Sequence, residues 1–215
     1  MNTEYFKNLG RTEEGYAEIQ HTSGSVFLIG DSICMGYQPF VKENLQKKYD
    51  VVYPNENCRN SQYIITSLNR WVHEFKEPQD VKLVSFNCGH WDVAHWNRDD
   101  DSLTSVAEYQ KNIKRIIRQL KKVFPKAIIL FFTTSPMSPN PNINHINYRS
   151  NKEIEVYNEA AVLEAIGENV YVADMYEFMK DWDETNFIDY VHLTMDANRV
   201  LGKFVTKKIL SLLEG

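Results

Sequence analysis

Four consecutive apolar residues, Val26-Phe-Leu-Ile29, stop abruptly at Gly30-Asp31-Ser32. An apolar run without alternation suits a strand buried on both faces, the usual condition inside a parallel sheet covered by helices. Gly30 permits the sharp turn that ends it. The next segment, Tyr37 to Tyr49, repeats Phe40, Val41, Leu45 and Tyr49 along one side of a 3.6-residue period, which predicts a helix packed back on the sheet. Ser32 then falls at a strand-to-helix junction, at the carboxyl edge where open α/β sheets place their sites. Two roles fit it there: Asp31 and Ser32 as helix caps, or Ser32 as a nucleophile.

The same alternation recurs to the end of the chain. Strands are expected at 50–54, closed by Pro54, and at 81–86, 127–132 and 169–173. Helices are expected at 61–75, 104–124, 150–166 and 194–213. Ser105-Val-Ala-Glu108 and Ser150-Asn-Lys-Glu153 match the capping box, and Gly167 reads as a helix stop. The acidic, aromatic stretch 174–186 reads as a connection. Five strands alternating with helices predict an α/β fold, a three-layer α/β/α sandwich over a five-stranded parallel sheet in the flavodoxin-like order 2-1-3-4-5. Residues 1–24 lack periodicity and are expected to form an N-terminal extension, leaving 25–215 as one catalytic-sized domain.

Composition narrows the function classes. With 24 Lys and Arg against 29 Asp and Glu, the formal charge is −5 and the basic residues are dispersed, so nucleic acid is not an expected partner. No apolar run approaches the roughly 20 residues of a membrane helix, and no membrane partner is expected. The polar start lacks an apolar signal segment. A cytoplasmic location is the expectation, although a mature form with its signal removed would read the same way. The three cysteines, Cys34, Cys58 and Cys88, are odd in number and lack ligand spacing, so they are expected to be small buried hydrophobes. Neither a metal nor another cofactor is called for, and the oligomeric state is not legible.

A serine nucleophile needs a base, and Asp189-Tyr-Val-His192 precedes the last helix. Three residues of separation on a turn let the carboxylate fix the Nδ1–H tautomer of the imidazole, leaving Nε2 to take the serine proton. The alternative is a helix flank with an acidic residue near the dipole. Topology favours the first, because the loops of a doubly wound sheet open on one edge.

Gly30-Asp31-Ser32-Ile33, Asn87-Cys-Gly89-His-Trp-Asp92 and Asp189-x-x-His192, in this order from about residue 25 onward, resemble the blocks of the SGNH/GDSL hydrolase family. The resemblance implies a flavodoxin-like hydrolase with Ser32 as nucleophile, His192 as base and Asp189 orienting it. It also marks two departures. Where the family usually has Gly-x-Asn-Asp, with the asparagine donating to the oxyanion, this chain has Gly89-His90-Trp91-Asp92. Where the family's second block supplies a glycine, Asn57-Cys-Arg-Asn-Ser61 has none. Oxyanion donors are therefore sought among Ser32, Asn60, Ser61, Gly89 and His90. Substrate-binding candidates are Asn57, Arg59, Asn87, Trp91, Trp96 and Arg149, with His95 and Asn147 nearby and Asp92 expected to structure the loop by accepting backbone N–H groups. The expected activity is serine-dependent hydrolysis of esters, small acyl or acetyl groups on a carbohydrate or similar small molecule in particular. The alternatives are a weakened binding protein of the same fold and an O-acyltransferase.

Overall fold

The structure, a computed structural model, describes residues 24–73, 75–140 and 146–215. Apart from Gly24, the expected N-terminal extension lies outside the described residues. Five strands, β1 (Val26–Ile29), β2 (Val51–Val52), β3 (Leu83–Phe86), β4 (Ile128–Phe132) and β5 (Tyr171–Ala173), form one sheet in the order β2-β1-β3-β4-β5. Every pairing is parallel, with Val26 opposite Val51 and Leu83, Leu83 opposite Ile128, and Leu130 opposite Tyr171. β1 and β3 are buried along their whole length, as continuous apolar runs require. The expected fold and strand order are those observed.

The helices are α1 (Ser32–Leu45), α2 (Ser61–Val72), α3 (Val106–Val123), α4 (Asn151–Gly167), α5 (Met175–Met179) and α6 (Met195–Leu213). The chain runs from β1 to β2 in one direction and then reverses. Right-handed crossovers therefore put α1 on one face and α2, α3 and α4 on the other. Contacts follow suit: α1 packs against α6, while α2 packs on α3 and α3 on α4. On α3 the buried apolar positions Tyr109, Ile113, Ile116, Ile117 and Leu120 form one stripe facing the sheet. Under the α2–α3 layer, Phe27, Phe75 and Phe124 pack edge to face and tilted, with centroids 4.9 to 5.8 Å apart.

Several boundaries differ from expectation. α1 begins at Ser32, five residues early, because Asp31 takes extended backbone and accepts the Ile33 N–H as an N-cap. α4 ends with Gly167 as its last helical residue, and the left-handed conformation that follows falls on Asn169, at φ 55°, rather than on the glycine. The connection 174–186 holds a short helix, α5, started when Asp174 accepts the Glu177 N–H. Of the two predicted capping boxes, Ser150/Glu153 is reciprocal. Ser105 accepts from Glu108 N–H as its half. The three cysteines are free and buried.

Candidate active site

Parallel strands deliver their following loops to one edge, and the segments after β1, β2, β3 and β4 meet there with one hairpin. The hairpin comes from the segment before α6. Phe187 and Leu193 form an antiparallel bridge, and Ile188 N–H donates to His192 O at 2.8 Å. At its tip, Asp189 Oδ1 accepts the N–H groups of Val191 and His192, both at 2.7 Å, and Oδ2 accepts His192 Nδ1–H at 2.7 Å. His192 Nε2 stands 2.9 Å from Ser32 Oγ, which starts α1. Partial burial raises the Asp189 carboxyl, but the hydrogen bonds from His192 and Val191 outweigh it and hold it below its ordinary value. The His192 and Asp189 side chains are 43% and 42% exposed, so the site is open to water.

Beneath Ser32 lies a buried polar network. Asp31 Oδ1 accepts both Ile33 N–H and an Asn87 Nδ2 hydrogen at 3.0 Å, and Asn87 Oδ1 accepts from Tyr37 Oη at 3.1 Å. Burial pushes the Asp31 carboxyl up to about 6 in spite of these donors. Gly30 has no room for a side chain, because a Cβ there would collide with Asn87 Oδ1 and Cys34 Cβ. Asn87, expected at the substrate, is instead buried and committed to orienting Asp31.

The loop after β2 corrects two further expectations. Ser61 N–H donates to both Asp92 oxygens, at 3.2 and 3.0 Å, and Ser61 Oγ donates to Asp92 Oδ1 at 2.6 Å. Ser61 is therefore not available to an oxyanion. Asn57 Oδ1 accepts Arg59 N–H, which shapes the turn where Arg59 takes φ 53°. Arg59 itself is exposed, its guanidinium 4.6 Å from the Tyr63 ring. Asn60 caps α2 by accepting Tyr63 N–H. Among the described residues, the N–H groups of Ser32 and Asn60 have no acceptor.

The aromatic loop after β3 turns on Gly89, at φ 142°, where a Cβ would strike Thr134 Oγ1. His90 is buried with Nε2 3.0 Å from Ser135 Oγ and Nδ1 unpartnered; burial, with Arg149 and His192 nearby, keeps its pKa well below the ordinary value. Trp91 and Trp96 pack together at 4.6 Å, and Trp96 Nε1–H donates to Trp91 O. His95 is held between Asp99 O and Glu153 Oε1, while Asn147 Oδ1 accepts Asn97 N–H. Among the described residues no group of three His, Cys, Asp or Glu side chains is placed to hold a metal ion. Arg149 is only 5% exposed and faces this same edge, within electrostatic reach of Asp31, Asp189 and His90. The reading of residues missed Tyr37, Ser135 and Tyr190. Only the hydroxyl run Thr133-Thr-Ser135 at the end of β4 offered a signal: Thr133 serves Asp174, Thr134 serves Cys88 O, and Ser135 serves His90.

The flavodoxin-like sheet brings Ser32, His192 and Asp189 together at this edge, as the family's hydrolases of ester bonds require. The chain belongs to the GDSL-like Lipase/Acylhydrolase family, whose model matches residues 28–200. It is 22% identical over 204 residues to a GDSL esterase/lipase of Arabidopsis thaliana, covering 86% of this chain and 85% of that one. A lipase/acylhydrolase from Enterococcus faecalis shares the fold with a TM-score of 0.68 and 17% identity over 88% of this chain and 97% of that one. A carbohydrate acetylesterase from Sinorhizobium meliloti does so with a TM-score of 0.66 and 16% identity over 87% and 99%.

Proposed function

We propose that this family member is a serine esterase that removes small acyl groups, acetyl foremost, from a carbohydrate or similar hydroxylated molecule. The observation that carries the mechanism is the chain of hydrogen bonds from Ser32 Oγ through His192 to Asp189, at 2.9 and 2.7 Å. His192 Nε2 takes the Ser32 proton as Oγ attacks the acyl carbonyl. The proton passes to the departing alcohol oxygen, and water attacks the acyl-enzyme with His192 as base again. Asp189 holds the tautomer and favours the imidazolium. Trp91 stands where the family has an asparagine, so the N–H groups of Ser32 and Asn60, which have no acceptor among the described residues, would receive the oxyanion, with those of Gly89 and His90 equally unpaired. One missing donor costs roughly 10²- to 10³-fold in rate, which slows such an enzyme without abolishing it.

The acetyl preference rests on likeness to a carbohydrate acetylesterase and to an acetyl xylan esterase from Geobacillus stearothermophilus. The paired indoles of Trp91 and Trp96 add a surface of the kind that packs on a sugar face. With 4-nitrophenyl acetate, Ser32→Ala and His192→Ala should each lower kcat by about 10⁴- to 10⁶-fold. A fluorophosphonate should label Ser32 in the folded protein. Near-normal turnover in either variant, or no adduct on Ser32, defeats the mechanism. Equal rates on acetate and octanoate esters defeat the acyl preference.

A further inference from the structure

Arg149 is a buried cation with no carboxylate at ion-pair distance among the described residues. It is 95% buried by its 5% exposure, its Nε has no hydrogen-bond partner, and among the described residues none of the ion pairs includes it. Its guanidinium donates to the Tyr190 hydroxyl, and its Cζ lies 5.7 Å from that ring, one residue along from Asp189; this neutral partner leaves the charge without a counter-ion and Nε without an acceptor. A guanidinium removed from water without a matching anion is costly, so its placement calls for a ligand. The position is rigid. Tyr148 is bridged antiparallel to His95, with His95 N–H donating to Tyr148 O at 2.8 Å, and Ser150 opens the reciprocal capping box of α4. Arg149 is therefore aimed by secondary structure on both sides. Its neighbour His90 is neutral, adding no competing charge, and presents an unpartnered Nδ1 of its own. Asp31 and Asp189 lie within electrostatic reach, which places the guanidinium on the edge that carries Ser32 and His192.

We infer that Arg149, backed by Tyr190 and beside His90, forms a recognition subsite for an anionic group, a carboxylate or a phosphate, borne by the substrate a short distance from the ester that Ser32 attacks. The subsite rests on the serine-esterase reading for its catalytic meaning, and its planar fork of donors suits either anion.

The test compares ethyl acetate, 3-acetoxypropanoate and 2-acetoxyethyl phosphate. In the wild type, kcat/KM for at least one anionic ester should exceed that for ethyl acetate by about tenfold or more, the worth of one charge-assisted hydrogen bond. The better of the two identifies the anion. In Arg149→Leu the anionic-to-neutral ratio should fall by about tenfold or more, and Arg149→Lys should keep part of it. No anionic advantage in the wild type overturns the inference, as does an Arg149→Leu variant whose ratio is unchanged. If Arg149→Leu does not fold, the wild-type series and Arg149→Lys decide. If the wild type cleaves none of the three, the esterase reading fails separately. Calorimetry with 3-hydroxypropanoate and 2-hydroxyethyl phosphate then decides the subsite: binding that weakens in Arg149→Lys supports it, and no binding to the wild type overturns it.

Discussion

Asp189 serves the hairpin and the imidazole with different oxygens. Oδ1 accepts two backbone N–H groups and fixes the turn, while Oδ2 accepts from His192 Nδ1. An asparagine keeps an oxygen for the turn but presents N–H₂ to the ring, so His192 would hold its proton on Nε2 and could not receive one from Ser32. Asp189→Asn should therefore lower kcat on 4-nitrophenyl acetate by about 10⁴-fold. Its unfolding midpoint should move little, because the side chain is 42% exposed. A variant within about tenfold of wild type would remove Asp189 from the mechanism. This much was legible, since three residues of spacing on a turn dictate how far a carboxylate reaches. The roles of Asn87 and Ser61 were not. Asn87 follows β3 and Ser61 opens α2, both at the edge where a site is expected, and only tertiary packing tells that Asp31 claims one and Asp92 the other.

At the scale of elements, the central strands were legible because burial on both faces leaves no alternation to misread, and the order was the one in which sequential crossovers need a single reversal of direction. Helix starts were harder. Periodicity marks the apolar stripe of α1, but its first turn, Ser32 to Met35, is set by the Asp31 cap rather than by hydrophobic spacing. α5 has only five residues, too short for periodicity to register. The loop after β3 is the element where backbone geometry matters most. Gly89 holds φ 142° against Thr134, whose Oγ1–H donates to Cys88 O at 2.9 Å. Gly89→Ala meets both an unfavourable backbone and a collision, and should cost about 2–3 kcal/mol in urea unfolding. It should also displace His90 and reduce turnover. A loss below about 1 kcal/mol would mean that the loop relaxes freely.

For the molecule as a whole, buried titratable groups of opposite sense make stability depend on pH. Asp92 joins three segments: it accepts from Ser61 N–H and Oγ at the start of α2, its carbonyl accepts Thr104 N–H before α3, and Asn112 of α3 donates to the same Ser61 Oγ. Burial pushes its carboxyl from 3.8 up to about 6, as it does for Asp31, against the Ser61 donors that lower it. As pH rises past about 4 the unfolded chain ionises at Asp92 while the native state stays protonated until about 6. The native state thus loses about 3 kcal/mol relative to the unfolded one across that window, and nothing further above it. His90 works in the opposite sense: held neutral by burial, it withdraws stability as pH falls below about 6.5 and the unfolded ring protonates. The wild-type curve alone mixes these contributions, but a difference between two proteins isolates one. Asn at position 92 does not titrate, so the stability of wild type minus that of Asp92→Asn should be about 3 kcal/mol more favourable near pH 4 than near pH 7. Urea unfolding of both proteins at each pH measures it. A difference that does not change with pH would mean that Asp92 titrates in the folded protein as it does in the unfolded chain, and that the junction it makes is wetter than its burial implies.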